Sequence, residues 1–401
     1  MRRIGVAERR ARLGRRHHLA APTTTAEGLA GDLAGLHSSD PPTPYLASWA
    51  RVKDFAPAEL EDALYERRSV LRMIGMRRTL FVVPLDLAAA IDAACTKALV
   101  PRERKRLARW LEEYGHVRPG GGERWIDRVS ARTLDVLREH GEAAGRELTK
   151  EVPELGVRFT YGEGTTWAGS MGGSTRILFL LSIEGKVSRA RPVGTFASGQ
   201  YRWAPMDAWL ERPLPELDHE AASAELLRRW LETFGPGTMR DIRWWTGWTA
   251  GLTSNTLEAV GAETVRIGDD TGYVLPDDLD PVDEPEPWVA LLPGLDPTVM
   301  GWKERGWYLR EQHVPLLFDR NGNAGPTVWS NGRIVGGWWQ DDDGVVVLRL
   351  LSRVDAATRR AIERERDRLQ DWLGDVRLRL RFPTPLERSS ALPRSGEAAG
   401  R

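Results

Sequence analysis

The sequence predicts an α+β fold in which groups of helices alternate with β-hairpins, ahead of an antiparallel β-rich segment. Three observations predict it. Before Pro287, apolar residues recur mostly at spacings of three and four, the helical period. Short pairs of apolar or alternating runs, such as "VLRMIG" with "RTLFVVP" and "AETVRIG" with "GYVLP", interrupt those helices as hairpins. After Pro287 the runs shorten and become strand-like. A chain of 401 residues exceeds one ordinary core, so two to four modules of roughly 100 to 200 residues are expected.

Residues 6–18 and 25–36 predict helices, and a third over 42–53 restarts after Asp40-Pro41-Pro42. A short helix and the first hairpin complete a module over 1–85. Three helices followed by a hairpin is the element order of a winged helix. The order recurs over 86–204, with long helices at 86–114 and 123–140, a shorter one near 143–152 and another at 171–184. The wing there is "EGKVSRARPVGTFASGQYRW", whose Gly-Lys and Pro-Val-Gly breaks suit a hairpin. A third round, over 205–286, runs through "DHEAASAELLRRWLETFG", "GTMRDIRWWTG" and "LTSNTLEAVG", with a turn from Gly247 to Gly251. The recurrence is one of element order, since the rounds share little identity. Over 287–385, "WVALLP", "VPLLF", "GPTVWSNGRIVGGWWQ" and "GVVVLRLL" predict strands, with a two-residue turn at Asn331-Gly332. A charged helix at 355–374 and a strand "VRLRLRF" close the fold, and 386–401 predict a disordered tail.

Composition narrows the function. Hydrophobic residues at 41% with 28% charged describe a folded soluble chain. No run is long and apolar enough to span a membrane, and the basic N-terminus lacks the apolar core of a signal peptide, so a cytoplasmic location is expected. A single cysteine, Cys95, in "LAAAIDAACTKALV", excludes a disulfide framework and a cysteine-based zinc site and reads as a small core residue. A net charge of zero argues against indiscriminate nucleic-acid binding, yet the charge is unevenly spread. The first 22 residues hold seven arginines and one glutamate, "ERRSVLRMIGMRR" and "PRERKRLARW" add further cations, and 261–288 is strongly acidic. That asymmetry leaves room for a basic face on a neutral protein.

Several stretches together resemble a known family. "LAGLHSSDPPTPYLASWARV", "MRRTLFVVP", "VSRARPVGTFASGQYRWAP", "GPGTMRDIRWWTG", "LLPGLDPTVMGWKER" and "NGRIVGGW" are similar to the AlkZ/YcaQ-like winged-helix proteins over roughly residues 5–385. The resemblance implies three tandem winged-helix motifs with a C-terminal antiparallel β-rich segment, forming a concave, positively charged surface. It implies a monofunctional DNA glycosylase that removes bulky N-alkylpurine or crosslink adducts in base excision repair, in some members as self-resistance to a genotoxic natural product. The expected partner is double-stranded, alkylated DNA, with the lesion left in the stack, and the protein would be nucleoid-associated when bound. A monomer is expected, with no cofactor, no metal and no membrane. The family's catalytic motif reads glutamine, apolar residue, glutamine or aspartate, and the corresponding positions here are His37, Ser38 and Ser39.

Both glutamine positions thus differ, and the chemistry has to be argued from the residues present. An N-alkylated purine already carries positive charge and departs neutral, so the enzyme has to hold a water against C1′ and stabilise an oxocarbenium-like sugar. Imidazole can hold that water and accept its proton, because its ordinary pKa of about 6.5 lies near the working pH. His37 therefore reads as the water-aligning group, or as a solvated or backbone-bonded histidine. Ser39 can accept a hydrogen bond from water, or serve as a turn residue. Asp40 could polarise the water or stabilise the cation, although Asp before Pro is above all the signature of a helix cap.

Arg77, Arg78 and Thr79 lie at the first hairpin, where the resemblance places DNA, and Arg176, Arg202, Lys303 and Arg305 are candidate phosphate contacts or simply solvated cations. His17, His18 and His116 have no partners at metal-ligand spacing and read as surface residues. "YGEGTTWAGSMGG" lacks the context of a nucleotide loop and reads as the entry to the 171–184 helix. Trp244-Trp245 and Trp338-Trp339 read as core rather than as base-stacking platforms. Two rival functions stand beside the glycosylase: a non-catalytic winged-helix DNA binder, regulatory or lesion-binding, and a partner-binding scaffold without activity.

Overall fold

A computed structural model describes residues 1–162, 168–379 and 381–388. The chain folds as two compact units, one formed by Met1–Leu60 together with residues from Leu227 on, the other by Glu61–Leu226. Each mixes helices and strands. The first of these units is discontinuous in sequence.

In the unit Glu61–Leu226 the first hairpin pairs Val70–Ile74 with Leu80–Pro84, Val70 opposite Pro84 and Ile74 opposite Leu80. The helix expected over 86–114 is interrupted. Leu85–Ile91 passes through a widened turn at Asp92–Thr96 and a tight one at Lys97–Leu99 before Val100–Glu113 resumes. Pro101 explains the restart, because it has no N–H to continue the ladder and fits only a first helical turn. There follow Gly122–His140, the short strand Ala143–Ala144, Gly145–Glu151, Gly173–Ile183 and a hairpin of Val187–Pro192 with Tyr201–Pro205, whose sheet is completed by Ala143–Ala144. Leu107, Leu111, Ile126, Val129, Ile177 and Leu181 form its core. A hairpin of Arg158–Tyr161 with Gly169–Gly172 stands where only a loop was expected; residues 163–167, which join its strands, lie outside the described residues.

In the other unit, Val6–Arg16 is a helix, and Ile4 N–H donates to the Arg266 carbonyl oxygen at 2.9 Å, so that Ile4 shares a small apolar cluster with Val265, Ile267 and Val274. The helices His219–Phe234, Met239–Thr246 and Ala250–Ala259 and the hairpin Glu263–Ile267 with Asp270–Val274 occur in the expected order. Four antiparallel strands, Val289–Leu292, Thr327–Ser330, Arg333–Gln340 and Val346–Leu350, lie in that sequence across one sheet. Asn331 and Gly332, at φ of 47° and 74°, make the tight hairpin turn that positive φ at both central positions permits. Ala356–Leu373 is a helix capped by Asp355, whose carboxylate accepts from Thr358 N–H at 2.8 Å.

Two strand expectations fail in this unit. "VPLLF" forms a helical turn, Val314–Leu317, because Pro315 cannot donate to a ladder and suits a helix start. "VRLRLRF" forms no strand among its described residues: Leu378 N–H and the Val376 carbonyl oxygen bond to the side chain of Gln340 instead of to a neighbouring strand. Within the expected tail, Leu386, Glu387 and Arg388 belong to a helical turn, Pro385–Arg388, and 389–401 lie outside the described residues. The helix expected over 25–36 is shorter, Ala26–Asp32.

The charge asymmetry is largely consumed within this unit. Arg12, 1% exposed, pairs with Asp278 at 2.5 Å and Arg16 reaches the same carboxylate at 2.5 Å, while Arg2 and Arg15 donate to the carbonyl oxygens of Asp280 and Asp283. The acidic stretch is therefore the internal counterpart of the arginine-rich N-terminus. His17, expected at the surface, is fully buried: its ring stacks on Trp302, Nδ1 meets Thr298 Oγ1 at 2.8 Å, and burial holds its pKa well below the ordinary value. Trp245, Trp338 and Trp339 are core residues as expected, and Trp244 is half-buried under the Arg305 guanidinium. Among the described residues no helix is long and apolar enough to cross a membrane.

Candidate active-site joint

The stretch from Leu33 to Trp49 is buried at every position except Ser39, which is half-exposed. Its path is set by backbone. Ala26–Asp32 ends where Gly35 N–H donates to the Ala30 carbonyl oxygen at 2.8 Å, with Gly35 at φ 110°, a conformation side chains disfavour. The chain then extends through Leu36 and His37 and enters the helix Thr43–Trp49 over Pro41 and Pro42. Thr43 Oγ1 donates to the Gly294 carbonyl oxygen at 2.8 Å, which fixes the helix start against the strand Val289–Leu292. At the far end Arg51 and Asp296, both fully buried, pair at 2.6 Å.

Within the joint the three candidate side chains differ. His37 is 3% exposed, and its Nδ1 accepts the backbone N–H of Ser39 at 3.4 Å. A backbone N–H can only donate, so the neutral ring carries its proton on Nε2 and presents a donor there. In this arrangement Nδ1 faces the Ser39 N–H, and Nε2 is the nitrogen that would meet a water. Ser39 is held by its main chain on both sides, its carbonyl oxygen accepting from the Arg381 guanidinium at 3.2 Å.

Asp40 is 3% exposed and does not cap the following helix: Pro42 is the N-cap, without a side-chain bond, and only the Asp40 carbonyl oxygen accepts, from Thr43 N–H at 3.1 Å. The capping reading of its carboxylate is thereby overturned. Proline at 41 and 42 supplies no N–H for a carboxylate to bind, which is the physical reason. Asp40 Oδ1 is buried with no hydrogen-bond partner among the described residues. Burial pushes its pKa up to about 6, partly offset by the Arg381 backbone N–H and charge. Nearby Glu387 is pushed up to about 7, by burial first and with the Asp40 charge contributing, while Thr384 N–H and Oγ1 donate to it at 3.3 and 3.2 Å. Arg381 and Glu387 escaped sequence reasoning, because the first sat in a stretch read as a strand and the second in one read as a tail.

The expected DNA contacts are divided between the two units, five in Glu61–Leu226 and two in the other. Arg77 and Arg78 occupy the tip of the first hairpin at φ of 52° and 62°, with Thr79 Oγ1 donating to the Met76 carbonyl oxygen at 2.8 Å. Arg176, only 7% exposed, pairs with Glu103 at 2.9 Å, and Arg78 reaches the same carboxylate at 3.1 Å. Arg202 pairs with Glu147 at 3.2 Å. Lys303 is exposed, its N–H donating to Asp241 Oδ1 at 2.8 Å, and Arg305 packs over Trp244 and Phe318. Among the described residues no three His, Cys, Asp or Glu side chains are grouped to hold a metal.

A family model spanning residues 30–372 places the chain among DNA glycosylases, a class defined by its action on DNA. Specifically, the chain belongs to the AlkZ-like DNA glycosylase family. The solved DNA glycosylase AlkZ of Streptomyces sahachiroi superposes with a TM-score of 0.71 at 18% identity, over 94% of this chain and 99% of that one, a likeness of fold. No curated protein matches the chain in sequence.

Proposed function

We propose that the protein is a monofunctional glycosylase that excises bulky N-alkylpurine or crosslink adducts from double-stranded DNA, with Asp40 as the base. The observation that carries this reading is the buried Asp40 carboxyl, its Oδ1 without a partner among the described residues, in the stretch that the family resemblance makes catalytic. Such a group is costly to bury, and a pKa near 6 leaves it ionised at neutral pH yet more basic than an ordinary carboxylate. In the proposed reaction the water oxygen bonds to C1′ and its proton passes to Asp40. The C1′–N bond breaks with its electrons going to the alkylated base, which leaves neutral, and the sugar remains as an abasic site. His37 would serve as a hydrogen-bond donor in the joint, and the Asp40 charge would stabilise the oxocarbenium-like sugar. Three winged-helix motifs forming a concave, basic surface, action as a monomer and a role in genotoxin self-resistance are parts of the same proposal.

A second reading, a DNA binder without turnover, is favoured by the near-complete burial of both His37 and Asp40. One assay separates them. Duplex carrying an N7-alkylguanine or a bulkier N-alkylpurine is incubated with the protein, and abasic sites are then cleaved with alkali. Strand breaks with wild type that vanish with Asp40→Asn support the glycosylase; binding without breaks by wild type establishes the second reading.

A further inference from the structure

Four guanidinium groups converge on one carboxylate in the unit Glu61–Leu226. Glu103, 1% exposed on the helix Val100–Glu113, lies 2.9 Å from Arg176, 3.1 Å from Arg78, 3.4 Å from Arg106 and 3.7 Å from Arg102. One negative charge cannot balance four positive ones. Aromatic rings hold several of the cations in place: Arg106 and Arg176 lie over Trp110 at 4.9 and 5.0 Å, and Arg78 and Arg176 over Phe179 at 5.5 and 5.4 Å. The Nε atoms of Arg78 and Arg176 are buried without a hydrogen-bond partner among the described residues, although Arg176 is 7% exposed. Burial, and after it the neighbouring guanidinium charges, lower the pKa of these two arginines against the opposing effect of Glu103. Arg102 and Arg106, by contrast, keep side-chain exposures of 67% and 38%. Arg77 and Arg78 are also held in left-handed backbone conformations, a strain that concentrates at sites of function.

We infer that this cluster is a built oxyanion site that takes one phosphodiester of a DNA duplex, Arg102 and Arg106 making the contacts while Glu103 and Arg176 hold the guanidinium planes in position. Guanidinium edges match phosphate oxygens bidentately, and a buried carboxylate fixes those edges before the ligand arrives. The inference rests on the proposed action on DNA but concerns binding alone. It differs from a diffuse basic patch in having a buried centre.

The test measures affinity for an undamaged duplex across a salt series, for wild type, Arg102→Gln, Arg106→Gln and the double variant. Because both residues are exposed, these variants retain the wild-type melting temperature. One lost phosphate contact lowers the slope of log K against log salt by about 1 and weakens binding roughly three- to tenfold near 0.1 M salt. Serving one phosphate, the two residues lose together no more than about that single step of slope. Glu103→Gln is expected to weaken binding although it adds net positive charge; tighter binding would reduce the cluster to diffuse charge and overturn the inference. Unchanged affinity in the double variant overturns it as well. So does a wild type stabilised by inorganic phosphate, with the double variant not stabilised, if duplex affinities are equal, since the site would then serve a free anion. If the slope falls as expected but no base is excised, the binding site stands and only the glycosylase reading is lost. If excision occurs with unaltered slopes, the reverse holds.

Discussion

Arg381 is tied to the joint at Ser39, 342 residues earlier in the chain, by a guanidinium donating to the Ser39 carbonyl oxygen at 3.2 Å. Its backbone N–H and its charge also lower the pKa of Asp40, which burial has raised to about 6. Replacing Arg381 with Gln removes the charge and leaves only the backbone N–H to oppose burial. The acid limb of the excision rate against pH is then expected to move upward, so that the variant loses more activity near pH 6 than near pH 8. A limb that stays in place would show that the Arg381 charge is not felt at Asp40.

Asp40 should carry a stability penalty that its function requires. Its folded pKa of about 6 lies above the ordinary aspartate value of 3.8, so the folded state binds the proton more tightly than the unfolded one. Stability therefore falls as pH rises through that interval, and the loss is complete above the folded pKa. The interval corresponds to about 3 kcal/mol at neutral pH, as an upper bound. Asp40→Asn is expected to be more stable than wild type at pH 7, to lose that advantage near pH 4, and to excise nothing. Denaturant unfolding at the two pH values checks the sign.

Glu387 is the second carboxyl raised by burial beside Asp40. Burial, with a contribution from the Asp40 charge, raises its pKa to about 7, so it is mostly protonated where Asp40, at about 6, ionises. Glu387→Gln therefore removes little charge at that pH and is expected to leave the acid limb of the rate profile in place. Gln can still accept from Thr384 N–H and Oγ1, so the turn Pro385–Arg388 is retained. A limb displaced downward would show that Glu387 is charged where Asp40 ionises.

The helix and hairpin order was legible because it depends on local periodicity: Val70–Ile74 with Leu80–Pro84 and Arg333–Gln340 after Asn331-Gly332 follow directly from alternation and turn chemistry. Interactions that span the sequence were not. Asp40 looked like a cap because its neighbours are prolines, yet its pKa is raised by burial and partly held down by Arg381, far along the chain. His17 looked exposed in the arginine-rich N-terminus, and only tertiary packing brings Trp302 and Thr298 around it. The N-terminal arginines looked available to DNA because nothing local signals that Asp278 will pair with Arg12 and Arg16. The family motif pointed to the joint as a stretch to inspect, while the hydrogen bonds that distinguish its side chains are ones no spacing encodes.

The pair Arg51 and Asp296 should be the costliest contact to break around the joint. Both side chains are fully buried, and the bond is bidentate at 2.6 and 3.0 Å. Arg51 also donates to the carbonyl oxygens of His17 and Ala47 at 2.9 Å, and to Thr298 Oγ1 at 2.9 Å, so it links the N-terminal helices to the loop after Val289–Leu292. Asp296→Asn leaves a buried guanidinium without its counter-charge, which costs about 3 to 5 kcal/mol. Replacing both residues with apolar ones of similar volume removes the stranded charge and is expected to cost less than the single substitution. A double-mutant cycle by denaturant unfolding measures the difference. If the double variant is as unstable as the sum of the two single ones, the pair is not coupled and the penalty comes from lost packing rather than from an orphaned charge.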